Sequence, residues 1–170
     1  MNSTPMPSLP RPALTAWHKI TCMIVPDLNL LVYAYDSSSP HHNAAAAWWK
    51  GLILGTEEIG LASVVVLGFV RLSTHPKVFH HPLTVAEATT RVESWLAHPQ
   101  VLIIEPSPHH VAAVLALLGA TGTAGNLTTA AQIAALVRQE QAILHSNDTD
   151  FQRCPGIRWL NPLTGKSHVT

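Results

Sequence analysis

Three aspartates carry the chemistry that this sequence makes available. Asp27 directly follows the apolar run Cys22-Met-Ile-Val-Pro26, and Asp148 and Asp150 stand in Ser146-Asn-Asp-Thr-Asp-Phe151 near the other end of the chain. Carboxylates gathered in one cleft repel each other unless a cation neutralises them. Hard oxygen ligands of this kind favour Mg²⁺, with Mn²⁺ as a substitute. A metal held this way polarises a phosphoryl oxygen and lowers the pKa of bound water. Water is then the nucleophile for in-line attack, and no side chain is covalently modified. A plainer role competes, since an aspartate after a strand is also a natural helix cap or turn former. For Asp27 alone the two roles weigh about equally, and Asp150 could likewise cap the segment after it. The same arrangement at both ends of one chain favours the metal.

Bringing residues so far apart in sequence together is a task for the fold. Short apolar runs ended by turn residues suit buried parallel strands: Cys22–Pro26, Ile59–Ala62, Val101–Ile104, Ala142–His145 and Ile157–Leu160. Helical segments alternate with them. One comes after Asp27, a second holds Ala44–Ala47, Trp48 and Trp49, and a third runs to Leu72 with Ser63 as its cap. Thr84–His98 places Val85, Ala88, Val92, Trp95 and Leu96 at helical spacing. His109–Leu118 and Thr128–Gln139 complete the set. Alternation of this kind predicts right-handed crossovers and an α/β fold of three layers, a mainly parallel sheet of about five strands with helices on both faces. Ligands then collect at the carboxyl ends of the strands, where Asp27, Asp148 and Asp150 all fall.

The bulk composition is compatible with this and excludes several alternatives. At 170 residues, 47% hydrophobic and 12% charged, the chain suits one globular core rather than disorder. Ten basic residues balance ten acidic ones, so any nucleic-acid contact must come from a local patch and from metal rather than from bulk charge. Cys22 and Cys154 lack the paired spacing of a zinc or redox motif, which fits a reduced, cytoplasmic setting. The longest apolar runs, such as Leu28–Tyr35, are too short to span a bilayer. Residues 1–22, with four prolines and no continuous apolar stretch, do not read as a signal peptide and are expected to form a flexible arm. Met23 begins the folded pattern, which is expected to run over residues 23–163, with 164–170 as a C-terminal tail.

Other residues divide between functional and structural roles. Arg71, His75, Lys77, His80 and His81 form the densest basic stretch and could hold nucleic-acid phosphates; an ordinary solvated loop fits the stretch slightly better. The doublets His41-His42, His80-His81 and His109-His110 lack the i, i+4 spacing of zinc proteases and read as scattered surface residues. Trp48, Trp49 and Trp95 lie on apolar helical faces and fit core or dimer contacts better than base-stacking platforms. Ser146 has no histidine–acid arrangement that would make it a nucleophile. It suits a donor to Asp27 or Asp148 instead.

Five segments, in order, resemble the PIN domains of VapC ribonuclease toxins. Ile-Val-Pro-Asp27-Leu-Asn29-Leu-Leu-Val-Tyr is similar to the family's opening, and Gly68-Phe-Val-Arg71-Leu-Ser-Thr74-His-Pro76 to its second motif. Gly125-Asn126-Leu through Leu136 resembles the helix of the third motif. Ser146–Phe151 resembles the fourth, and Ile157-Arg-Trp-Leu-Asn161-Pro162 the closing strand. Each segment alone is a weak signal, and the five in the correct order are a strong one. The resemblance implies a Mg²⁺-dependent endoribonuclease that leaves 5′-phosphate and 3′-hydroxyl ends on structured or translational RNAs. It implies a homodimer silenced by a cognate antitoxin whose tail enters the cleft. It also implies Asp27, Asp148 and Asp150 as metal ligands, with Asn29, Arg71, Asn126 and Ser146 in supporting or RNA-binding positions.

Two positions depart from the family pattern. Many members carry Glu where this chain has Gly68, although one branch reads Gly-Phe-x-Arg. The third motif usually places Asp where this chain has Ala130. Losing one ligand from a small set weakens metal affinity and misplaces the attacking water. Three explanations stand open: an engineered inactivation, a naturally degenerate toxin, or compensation by another carboxylate. Glu57 and Glu58 are the conceivable substitutes, but they precede a strand and are expected at its wrong end. The competing reading is therefore a PIN-fold module that binds an antitoxin or RNA without efficient cleavage. A metal-dependent phosphohydrolase of small substrates is disfavoured, because no phosphate-cradling glycine loop follows a strand.

Overall fold

The central strand segments Ile24–Pro26 and Ile59–Ala62 are buried on both faces, as a sheet sandwiched between helices requires. A computed structural model describes residues 22–122, 125 and 127–169. Its strands are β1 (Ile24–Pro26), β2 (Ile59–Ala62), β3 (Val101–Ile104), β4 (Ile143–His145), β5 (Arg158–Leu160) and β6 (Ser167–Val169). They form one sheet in the order β3-β2-β1-β4-β5-β6, parallel throughout except for the β5–β6 pair. The helices α1 (Leu28–Tyr35), α2 (His42–Ile53), α3 (Ser63–Ser73), α4 (Val85–Leu96), α5 (His110–Thr121) and α6 (Leu127–Gln139) cover both faces.

The strand order contains the feature that matters for function. From β1 the chain builds outward through β2 and β3. It then returns to the other side of β1 and builds outward again through β4, β5 and β6. The carboxyl ends of β1 and β4 therefore flank the point where the winding direction reverses, and the diverging connections leave a crevice there. Pro26 is in register with His145, so Asp27 and Ser146 leave the sheet side by side.

Two details differ from the sequence expectation. Ser63 does not cap α3: the cap position is Ala62, without a side-chain hydrogen bond, and Ser63 is the first helical residue. The capping serine signal failed because β2 runs into the helix with no intervening turn. The sheet also has a sixth strand, β6, within the segment read as a tail. Its three residues are all exposed, so no apolar alternation marks them. The turn before β6 is built by Asn161, whose Oδ1 accepts from the Leu163 amide. The expected arm, residues 1–22, lies outside the described residues except for Cys22.

The core between α1, α2, α3 and α4 is aromatic. Phe69, Trp95 and Tyr35 lie within 4.7–5.6 Å of one another, and Trp49 meets Trp95 edge to face at 5.4 Å. The Trp95 indole N–H donates to Tyr35 Oη at 2.7 Å, satisfying its one polar atom. Trp49 and Trp95 are thus core residues, and Trp48 is half-buried against them. Two of the three histidine doublets find ordinary partners, His41 on Tyr33 and His80 on His81. Among the described residues, no helix is long and apolar enough to cross a membrane.

Candidate active site

Asp27 sits between β1 and α1 with only 7% of its surface exposed. Its backbone is extended, as a cap residue's must be, and its Oδ1 accepts from the Leu28 amide at 2.7 Å. Asp27 therefore does cap a helix, but its second oxygen is held from elsewhere. Oδ2 accepts from Ser146 Oγ at 2.6 Å, across the β1–β4 junction. Burial pushes the carboxyl up from 3.8 to about 6; the Ser146 and Leu28 hydrogen bonds pull it back, and the Asp148 charge adds to the rise.

The direction of the Ser146 proton follows from counting donors. Ser146 is fully buried. Its oxygen receives the Asn29 amide at 3.2 Å and the Asp148 backbone N–H at 2.9 Å, groups that can only donate. Its single hydrogen must therefore go to Asp27. The Asn29 orientation is fixed in the same way, because its Oδ1 accepts from the Asn147 N–H at 3.4 Å. Asp27, Asn29, Ser146 and the Asp148 backbone thus form one network in which every donor points toward the carboxylate.

Asp27 and Asp148 line one cavity of about 300 Å³, together with Asn29, Tyr33, Thr129, Ala130 and Phe151 among others. Asp148 is half-buried and caps the short 3-10 turn Thr149–Arg153, its Oδ1 accepting from the Asp150 amide at 2.8 Å. Asp150 itself is exposed and does not line this cavity, and the capping role open to it belongs to Asp148. Arg71 is exposed and lines a neighbouring cavity, which shares Leu28 and Thr129 with the first. Gly68 lines that second cavity too, and a Cβ there would stand 2.7 Å from Leu28 Cδ2. Asn126 lies outside the described residues. Glu58 lines a separate cavity with Met23, Gln141 and Arg158, at the amino ends of β1, β2, β4 and β5, far from the cleft.

One contributor to the cavity, Thr129, and one buried neighbour outside its lining, His145, escaped the sequence reading. Thr129 brings a hydroxyl to the cavity, one position before Ala130 at the start of α6. His145, at the end of β4, accepts from the Trp48 indole at 3.2 Å, and burial pushes its ring down from 6.5 to about 4, so it is neutral. A histidine inside an apolar strand run was the only available sign of the latter.

The donor chemistry suits a divalent cation. Among the described residues, no Lys or Arg lines the cavity, so no cationic side chain of its lining offsets the Asp148 charge that adds to the rise at Asp27. All the candidate ligands are oxygens, and among the described residues no cluster of three or more His, Cys, Asp or Glu is present. That pattern does not fit zinc. It suits a hard divalent cation, which takes one or two carboxylates and keeps its remaining positions for water and substrate phosphates.

Known proteins agree with this fold. The PIN domain family matches residues 24–157. Ribonuclease VapC33 of Mycobacterium tuberculosis is 41% identical over 141 residues, covering 83% of this chain and 99% of that protein. Ribonuclease VapC37 of the same organism is 37% identical, covering 82% and 97%. Among solved structures, VapBC2 from Rickettsia felis, bound to a DNA fragment from its promoter, has a TM-score of 0.59 at 21% identity and covers 82% of this chain and 98% of its own. FitAcB from Neisseria gonorrhoeae has a TM-score of 0.57 at 21% identity, with the same coverage. With a parallel sheet, a carboxylate cleft at its winding reversal and relatives of this identity over nearly their whole length, the chain belongs to the VapC ribonucleases of the PIN-domain family.

Proposed function

We propose that this chain is the toxin of a type II toxin–antitoxin pair, a Mg²⁺-dependent endoribonuclease acting in the cytoplasm. The observation that carries the reading is the shared cavity of Asp27 and Asp148, two carboxylates at adjacent strand ends with no basic residue among its described lining. Asp27 and Asp148 would hold the ion, with Asp150 assisting through water. When bound, Mg²⁺ or Mn²⁺ supplies polarisation of the scissile phosphate and a water of lowered pKa. The protein's own contribution is positioning. Ser146 fixes the Asp27 carboxylate by a donated hydrogen bond, and Leu28 fixes its other oxygen. Asn29 holds Ser146 and the turn after it. Arg71, beyond Thr129 on the adjoining cavity, suits an RNA phosphate next to the scissile one. Asn126, outside the described residues, is proposed for a supporting or RNA-binding role from its place in the third motif alone. The products carry 5′-phosphate and 3′-hydroxyl ends. A cognate antitoxin is the regulating partner, and a homodimer the working unit.

Ala130 supports a second reading, a module with impaired cleavage. Its methyl group lines the same cavity as the two aspartates, at the position where the family usually has Asp. Comparing RNA cleavage by this chain and by Ala130→Asp, each with Mg²⁺ and Mn²⁺, tests both readings. Faster metal-dependent cleavage by Ala130→Asp is expected. Equal activity in the two would remove position 130 from the ligand set, and cleavage by neither would leave only the binding module.

A further inference from the structure

At the carboxyl end of β5, Asn161 is 4% exposed, although it follows the last strand residue and enters a turn. Its backbone N–H donates to the Lys166 carbonyl at 2.8 Å, and its own carbonyl accepts from Gly165 at 2.9 Å. Its Oδ1 accepts from the Leu163 amide at 3.0 Å. A backbone N–H can only donate, so the amide orientation is settled and Nδ2 must point the other way. There it donates to Asn147 Oδ1 at 2.8 Å.

Asn147 is the one residue between Ser146 and Asp148. Ser146 holds Asp27, and the Asp148 amide is bonded to Ser146. The Asn147 backbone N–H in turn reaches Asn29. The side chain of Asn147 is therefore the outward handle of the turn that sets both carboxylates, and Asn161 grips it from the next strand. The Leu160 carbonyl adds to this by accepting from the Ser146 amide at 3.0 Å. We propose that Asn161 is a positioning residue for the candidate metal site, pinning the Ser146–Asp148 turn so that Asp148 stays aligned with Asp27. This role rests on the nuclease reading above. Asn161 touches neither carboxylate and acts only through Asn147.

Two variants remove this bond from opposite sides. Asn161→Ser keeps a hydroxyl that can accept from Leu163 but is too short to reach Asn147. Asn147→Ala removes the acceptor. In each, amide hydrogen exchange at Asn147 and Asp148 should quicken about five- to tenfold, the weight of one hydrogen bond, while exchange in β1 and β2 stays unchanged. Mn²⁺ affinity, read by titration of the protein alone, should fall about tenfold, as it does when residues supporting metal ligands are lost. The double variant should match the singles rather than add to them. Unchanged exchange at the two amides, equal acceleration throughout the sheet, or wild-type Mn²⁺ affinity in both variants would each overturn the role. Localised exchange with no Mn²⁺ binding by the wild type would instead sink the nuclease reading, with the pinning of the turn upheld.

Discussion

Asp27 concentrates the conflict between stability and function in one side chain. Its folded pKa lies near 6 against 3.8 for a free carboxyl, so between about pH 4 and 6 the folded protein binds more protons than the unfolded one. Stability therefore falls as pH rises through that window, by on the order of 3 kcal/mol. A neutral amide in place of the acid has no such cost. We predict that Asp27→Asn gains stability relative to the wild type in urea unfolding between about pH 4 and 6 in metal-free buffer, offset at every pH by the Leu28 or Ser146 donor that its single amide oxygen leaves unpaired. Added Mg²⁺ should narrow the gap by stabilising the wild type alone. The same variant should lose at least about a hundredfold in RNA cleavage. His145 has the opposite sign: its folded pKa near 4 lies below the usual 6.5, so its contribution is complete above pH 6.5 and is lost as pH falls toward 4. Only the difference between variant and wild type isolates Asp27, because the two slopes oppose each other in the wild type. Ser146→Ala should cost about 1–3 kcal/mol, since it strands the Asn29 amide and the Asp148 N–H in a buried site.

At the scale of elements, the site depends on how strands hand over to helices. α1 begins at a carboxylate cap that faces a like charge, an arrangement suited to a ligand rather than to helix stability. α4 begins at a complete capping box, Thr84 and Glu87 bonding each other's backbone amides, far from the cleft. Thr84→Ala should therefore cost about 1 kcal/mol in thermal unfolding and leave cleavage unchanged. Gly68 tests the packing of α3 on α1. A methyl group there would meet the end of the Leu28 side chain, which can rotate, while the helix gains from losing a glycine. Gly68→Ala should change stability by less than about 1 kcal/mol, but it should move Leu28, which borders both cavities, and so alter RNA binding.

For the whole molecule, a formal net charge of zero limits what bulk electrostatics can contribute. RNA affinity, measured with a cleavage-dead Asp148→Asn protein, should fall with salt on a logarithmic slope no steeper than about −3, corresponding to a few phosphate contacts. A slope of about −6 or steeper would point to a wider basic surface than Arg71 and its neighbours provide. On the proposed metal site, the topology would also let a neutral protein act on a polyanion: the winding reversal gathers carboxylates at one crevice, and the cation would bring the positive charge.

The sequence by itself determined the element order, because apolar runs bounded by Pro, Gly and Asp report burial locally; β2 and β3 fall on the expected residues. It also exposed Asp27 and the Ser146–Phe151 segment, since residues that follow strands are where such folds present chemistry. It could not reveal β6, whose exposed residues carry no pattern, or the separation of Asp148 from Asp150 into a cavity-lining and an exposed carboxylate. Nor could it show that Ser146 must give its proton to Asp27, or that Asn161 reaches Asn147. Those are facts of register. Asp27 and Ser146, 119 residues apart, meet only because β1 pairs with β4, and Asn161 and Asn147 because β4 pairs with β5; hydrogen bonds are directional over distances that only the paired sheet fixes.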